Sequence, residues 1–480
     1  MGNGGLMALK LDMEKAFDCM EWDFLIRILT LLGFNSTWTH WIKQCISTSS
    51  FSIMMDGSPY GNFSPSQGLR QGDPLSPFLF ILGSEALSRI IFKEENLGNL
   101  HGIRIARHSP VVSHLLFADD LIIFSKANIS KARVIQDCLS TYSRWSGQKI
   151  NYSKSAIFFS KNCKPSIRGS IKSMLDLPHL SVKAKYLGIP LFFHRSKKRS
   201  LVDVKEKMLS KIVGWKSKLL SQAARTTPIK SVANAIPSYT MSLFLLPKGF
   251  CKELNSLLRK FWWGFPQDKK HNLSFLVWDN ICKPKILGGL GIRNMETLNL
   301  SLLAKLGWKI ITEPSLLWVA ALSGKYLQSG ASFLNATFRP SASWLWKDIL
   351  KARQVMELGA CMAVSSGQGI NIWESPWIPS IQLFKPSPNH NLVDLPNLEV
   401  ADLLNEGGRS WIVSLLIDLF DSNSAQNIQN IHLSHEVSSD RWTWAASLTG
   451  PFSVRSVHEL ASQDLASRSS PLSLEDWSCL

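Results

Sequence analysis

Asp119 and Asp120 stand side by side between two apolar runs, His114-Leu115-Leu116-Phe117-Ala118 before them and Leu121-Ile122-Ile123-Phe124 after. The runs are rich in strand-forming residues, so the pattern predicts a hairpin with both carboxylates at its turn. Adjacent like charges repel and add nothing to stability by themselves. They become favourable when a divalent cation lies between them and another acid. Magnesium takes hard oxygen ligands and keeps a substrate phosphate and waters in its shell. That is the chemistry of two-metal phosphoryl or nucleotidyl transfer. A plain acidic turn is the competing explanation, because Asp tolerates turn geometry and bonds its own backbone.

Three further blocks carry candidate chemistry. Asp12 closes the strand-like segment 6–12 and is followed by Met13-Glu14-Lys15-Ala16-Phe17-Asp18. A carboxylate at a strand end, beside a hairpin with two more, supplies the third corner of a metal cage; otherwise it caps a following helix. Phe17 would then pack under a bound sugar, or else belong to the core. The stretch Gln67-Gly68-Leu69-Arg70-Gln71-Gly72-Asp73-Pro74 is a glycine-punctuated loop running into a helix. Backbone N–H groups at a helix start, with Arg70 nearby, suit a nucleotide's phosphates, and the glycines allow close approach to a base or sugar; a plain turn into a helix is the competing explanation. In Gly147-Gln148-Lys149-Ile150-Asn151-Tyr152-Ser153-Lys154, Lys154 would meet a triphosphate or leaving pyrophosphate as a point charge, although taken alone it reads as an ordinary surface lysine.

The elements that must position these residues are legible in outline. Segment 6–12 reads as a central strand. Helical periodicity runs from Trp22 to Leu32 and stops at Gly33. Residues 51–59 alternate and turn at Asp56-Gly57, a hairpin signal. A helix is expected from Pro74 through Leu87, another from Ile129 to Trp145 before Gly147, and a strand over 156–159.

The chain has 480 residues, enough for two or three domains with sizeable cores. Apolar residues make up 45% and mean hydropathy is +0.02, which places it among globular proteins rather than disordered ones. The formal charge of +17 and pI near 9.5 point to a polyanionic partner, nucleic acid first. Eight scattered cysteines form no CxxC and no zinc-ligand spacing, and read as reduced, mostly buried thiols. No apolar run has the length to cross a bilayer, and the first residues lack a signal peptide's features. A nuclear or cytoplasmic location and no membrane partner are expected. Between Ser181 and Lys230, thirteen Lys or Arg face two acids, with the densest cluster at His194-Arg195-Ser196-Lys197-Lys198-Arg199. From Phe261 onward lie 13 of the 18 tryptophans, expected as core residues of a helical region.

The four blocks, in this order, resemble the palm of reverse transcriptases, specifically the LINE-type (non-LTR) retrotransposon polymerases of plants. The matching stretches are Lys10 to Asp18, Gln71-Gly72-Asp73-Pro74-Leu75-Ser76-Pro77, Phe117-Ala118-Asp119-Asp120 and Gly147 to Ser155, with Tyr186-Leu187-Gly188-Ile189-Pro190 similar to the next element, which supports the primer end. Later segments, including Phe261-Trp262-Trp263-Gly264, Ile372-Trp373-Glu374-Ser375-Pro376-Trp377 and Phe452-Ser453-Val454-Arg455-Ser456, look like the C-terminal connecting region of plant elements.

The resemblance implies an α+β fold: a right-hand polymerase palm (antiparallel sheet with helices) at 1–190 with a remnant of fingers, a basic helical thumb at 191–265, and a mostly helical, Trp-rich connecting region at 266–480. It implies RNA-directed DNA polymerase activity on an RNA template, a DNA primer and dNTPs. Asp12, Asp119 and Asp120 would hold two Mg²⁺ ions, with Mn²⁺ as a substitute. Phe17 would exclude a ribose 2′-hydroxyl, Gln71 and Gly72 would line the incoming nucleotide and template base, and Lys197, Lys198 and Arg199 would track duplex phosphates. Only 11 residues precede Asp12, where the family has its fingers, and the family's zinc-binding segment would follow Trp477, so a chain truncated at both ends is expected. Beside the polymerase stands a second reading, a catalytically silent relic that at most binds nucleic acid through the basic thumb. A group II intron maturase or telomerase-like protein is disfavoured by the pattern after residue 260.

Overall fold

The computed structural model describes residues 5–192, 201–215, 219–265, 276–327, 332–392, 394–405, 410–433, 439–447 and 451–467. The chain divides into two bodies, residues 1–192 and 193–480.

In the first body the alternation of Leu6–Leu11 (β1) sets the architecture. Met7, Leu9 and Leu11 point into the core, while Ala8 and Lys10 take the other face. After β2 (Met13–Glu14) come α1 (Trp22–Leu31), α2 (Ser36–Ser47), the hairpin β3 (Phe51–Met55) and β4 (Ser58–Phe63), and α3 (Ser76–Asn96). Short strands β5 (Ile103–Arg104) and β6 (Val111–Val112) lead to β7 (His114–Phe117) and β8 (Asp120–Lys126). Then follow α4 (Ile129–Ser146), β9 (Lys149–Ile150), β10 (Ala156–Phe159), α5 (Pro165–Leu175), β11 (Lys185–Tyr186) and β12 (Ile189–Pro190). The main sheet has the order β10-β1-β8-β7, every pair antiparallel, so β1 is central as its pattern predicts. Helices α1, α3 and α4 cover the buried face, where Leu25, Leu29, Leu79, Leu87, Ile135, Leu139 and Tyr142 join the strand residues in one core. This is the expected α+β arrangement, an antiparallel sheet with helices packed on it.

The hairpin at Asp56-Gly57, α1, α4 and β10 lie where the sequence places them. Helix α3 starts two residues later than expected and runs past Leu87 to Asn96, because no glycine or proline falls between Leu87 and Gly98 and Ile91 still packs in the core.

The second body is mostly helical. One apolar cluster joins helix Val202–Gly214 and helix Lys248–Trp263 to Trp278, Ile281 and Leu298, so residues on both sides of position 265 share a core. Buried Asn299 is fully used there: its amide donates to the carbonyls of Met241 and Phe244 (2.8 and 2.9 Å) and its oxygen accepts from the Leu246 N–H (2.7 Å). Trp262, Trp346, Trp377 and Trp444 are fully buried, the core role expected of the C-terminal tryptophans. Asp440 caps a loop by accepting from the N–H groups of Ser366 and Gly367 (3.0 and 3.1 Å) and the Ser366 hydroxyl (2.7 Å). Burial pushes its carboxyl up, but these bonds, with one from Ser365, outweigh it and hold the group below the usual range.

His458, on helix Val454–Ser467, is pushed down to about 4 by burial and by Arg293, against the opposing pull of Glu459. A histidine harder to protonate when folded contributes no pH dependence above its unfolded value of 6.5 and destabilises the fold as pH falls through 6.5 toward 4. The expected loss at pH 5 relative to pH 7 is about 2 kcal/mol. Unfolding curves at the two pH values check it, and His458→Gln should remove most of the difference.

Candidate active site

The ladder between β1 and β8 pairs Leu11 with Leu121, so Asp12, one residue beyond β1, continues that register opposite Asp120. Facing residues of an antiparallel pair project to the same side. Lys10, two residues before Asp12, shares that side and its Nζ lies 3.4 Å from Asp120 Oδ1. Asp120 is the first residue of β8, and Asp119 occupies the turn after Ala118, whose φ of +51° is left-handed. A non-glycine residue is kept in that region by its surroundings. Among the described residues Asp119 makes no ion pair.

Asp12 is tied through its backbone. Its N–H donates to Ser155 Oγ (3.1 Å) and its carbonyl accepts from the Asn151 N–H (2.8 Å). The β2–β9 pairing, Met13 with Ile150 and Glu14 with Lys149, brings this loop alongside, and Lys154 Nζ reaches Asp12 Oδ2 at 3.8 Å. Two blocks far apart in sequence thus meet at one carboxylate.

Phe17 lies in a turn closed by bonds from the N–H groups of Asp18 and Cys19 to the Lys15 carbonyl (2.8 and 3.1 Å). Its ring stacks on Phe80 of α3, centroids 4.9 Å apart and planes 20° from parallel. Two loops grip this turn. On one side the Gly68 and Leu69 N–H groups donate to the carbonyls of Met20 and Phe17 (2.8 and 2.7 Å). At Gly68 (φ +93°) an added Cβ would sit 2.7 Å from the Asp18 carbonyl oxygen. On the other side the Glu21 N–H donates to the Ser146 carbonyl (2.9 Å), and buried Gln148 donates from Nε2 to the Ala16 carbonyl (2.7 Å). The glycine-rich blocks therefore act first as the turn's anchors.

Gln71 Nε2 donates to Asp18 Oδ1 (3.3 Å), while Arg70, Gln71 and Gly72 are exposed ahead of α3. Lys197, Lys198 and Arg199 lie outside the described residues. No role for Lys10, Gln148 or Ser155 is evident from the sequence alone. A charged residue in the middle of an otherwise apolar central strand was the available signal for Lys10; the other two depend on which loops meet.

Among the described residues no group of three or more His, Cys, Asp or Glu side chains is gathered to hold a metal ion. Asp120 and Asp12 turn instead to Lys10 and Lys154. The donor chemistry still fits magnesium: Asp12 and Asp120 are neighbouring hard-oxygen donors and Asp119 is one residue away.

Residues 3–191 match the family described as reverse transcriptase (RNA-dependent DNA polymerase). An Arabidopsis thaliana protein described as a ribonuclease H protein is 30% identical over 280 residues, 58% of this chain and 45% of its own length. An uncharacterized mitochondrial protein of Arabidopsis thaliana is 32% identical over 145 residues, 30% of this chain and 93% of its own. A Drosophila melanogaster Pol polyprotein from the type-2 retrotransposable element R2DM is 28% identical over 146 residues, 30% of this chain and 13% of its own. The chain thus spans less than half the length of the first of these relatives.

Proposed function

The chain belongs to the reverse transcriptase family, in its LINE-type retrotransposon branch, and from that premise we propose that it carries out RNA-directed DNA polymerisation, nucleotidyl transfer from a dNTP to a primer 3′-hydroxyl. The observation that carries this reading is the convergence of Asp12, Asp119-Asp120 and Lys154 at one end of the sheet. Asp12 and the Asp119-Asp120 turn would hold the two Mg²⁺ ions, which when bound activate the attacking hydroxyl and neutralise phosphate charge. The rest falls to the chain's own groups. Lys154, with its side chain 69% exposed, is free to swing from Asp12 to a triphosphate. Arg70 and Gln71, exposed before α3, meet phosphate and base. Phe17, braced by Phe80, offers a ring edge that a ribose 2′-hydroxyl would strike.

The test is single-nucleotide incorporation on an RNA template with a DNA primer: the nucleotide added should follow the template base, and untemplated or absent addition defeats the reading. In the same assay Phe17→Val should narrow the preference for dNTP over rNTP by at least about 10-fold, by removing the steric clash. An unchanged ratio would deprive Phe17 of that role.

The basic stretch 183–230, including Lys197, Lys198 and Arg199, is proposed to follow the duplex backbone. Duplex affinity should then fall with salt by a log–log slope of roughly 0.7 to 0.9 per phosphate contact. Neutralising Lys197, Lys198 and Arg199 together should flatten the slope by about two to three units. Fluorescence anisotropy across a salt series measures both.

A further inference from the structure

Lys10 sits on central strand β1 between fully buried Leu9 and Leu11. A lysine is seldom placed so deep unless it is paired. Its side chain is 16% exposed and Asp120's 24%, and the two meet at 3.4 Å. The pair at Asp12 is of another kind, because Lys154 is 69% exposed, stands on a loop and lies 3.8 Å from its partner. An exposed, extended pair contributes little and is readily exchanged. A lysine whose stem packs along a sheet face keeps its head where the strand puts it. Lys154 can therefore leave for a substrate phosphate, whereas Lys10 stays and cancels one of the three carboxylate charges.

Resting on the polymerase reading above, we infer that Lys10 is a positioning residue that keeps Asp120 as its counter-ion, leaving Asp12 and Asp119 as the protein's ligands to the catalytic metal. Asp120 then fixes Lys10 and the start of β8 beside the turn that presents Asp119. Removing Lys10 frees a second carboxylate next to the ligands. Metal binding should tighten while the metal is drawn from its working position and turnover falls.

The experiment titrates Mn²⁺ alone into the full chain by electron paramagnetic resonance, with single-turnover incorporation measured in parallel and melting curves confirming that each variant is folded. Asp12→Asn and Asp119→Asn should weaken Mn²⁺ binding at least about 10-fold, and Asp120→Asn by less than about 3-fold. Lys10→Met should tighten it by about 5-fold yet slow incorporation. Lys10→Met with Asp120→Asn should return to the affinity of Asp120→Asn alone, and Lys10→Arg should behave as wild type. The inference is overturned if Asp120→Asn weakens Mn²⁺ as much as Asp119→Asn does. It is equally overturned if Lys10→Met slows incorporation with no change in Mn²⁺ affinity. Binding indifferent to Asp12→Asn and Asp119→Asn would defeat the metal site itself, a separate outcome from failure at Lys10.

Discussion

Alanine at Gly147 is expected to destabilise the first body by about 3 kcal/mol or more, combining a left-handed backbone with overpacking. Gly147 closes α4 at φ +74°, and a Cβ there would lie 2.4 Å from the Cys19 carbonyl oxygen and 2.9 Å from Glu21 Cγ. The first contact is with backbone, which cannot swing aside. To make room, the turn 15–21 must move off Ser146 and Gln148, and Phe17 moves with it. Gly33 supplies the control, since its φ is +90° but nothing lies within 4 Å of the added Cβ. Gly33→Ala should cost only the backbone part, about 1–2 kcal/mol. Urea unfolding of the two variants separates the terms. Equal losses would show that the grip on the turn is looser than the contact distances indicate.

The second large effect is chemical. Asp12→Asn should lower the rate of incorporation by about 10³, or roughly 4 kcal/mol of transition-state stabilisation. The fold should tolerate the change. The bonds from Ser155 and Asn151 go to the backbone of residue 12 and survive any side chain there. The side chain's partner, Lys154, is largely exposed, so losing that pair costs well under about 1 kcal/mol of stability. A rate that collapses while the melting curve stays in place is the signature of a lost metal ligand. A rate within a few-fold of wild type would remove Asp12 from the chemistry.

The division between what was legible in the sequence and what was not follows range. The alternation of β1, the Asp56-Gly57 turn, the α4 stop at Gly147 and strand β10 are all encoded within a few residues, and each lies as expected. The hairpin placing Asp119 at its turn is local too. The pairing of Lys10 with Asp120 is not, because it needs the β1–β8 register, which no single segment contains. Lys154 reaches Asp12 only through β9, a strand of two residues with no periodicity to read. Gln148 resembles any polar residue after a helix end, and its burial against the Ala16 carbonyl appears only once the turn around Phe17 is folded. The acids were found from residue type; their partners required the fold.

Everything turns on whether this sheet end transfers nucleotides. The most direct measurement is extension of a DNA primer on an RNA template by the full chain, with Mg²⁺ and with chelator, alongside Asp12→Asn. The account predicts templated extension that requires the metal and falls by about 10³ in the variant. Duplex binding with no extension under any metal, or extension that the variant retains in full, would contradict it.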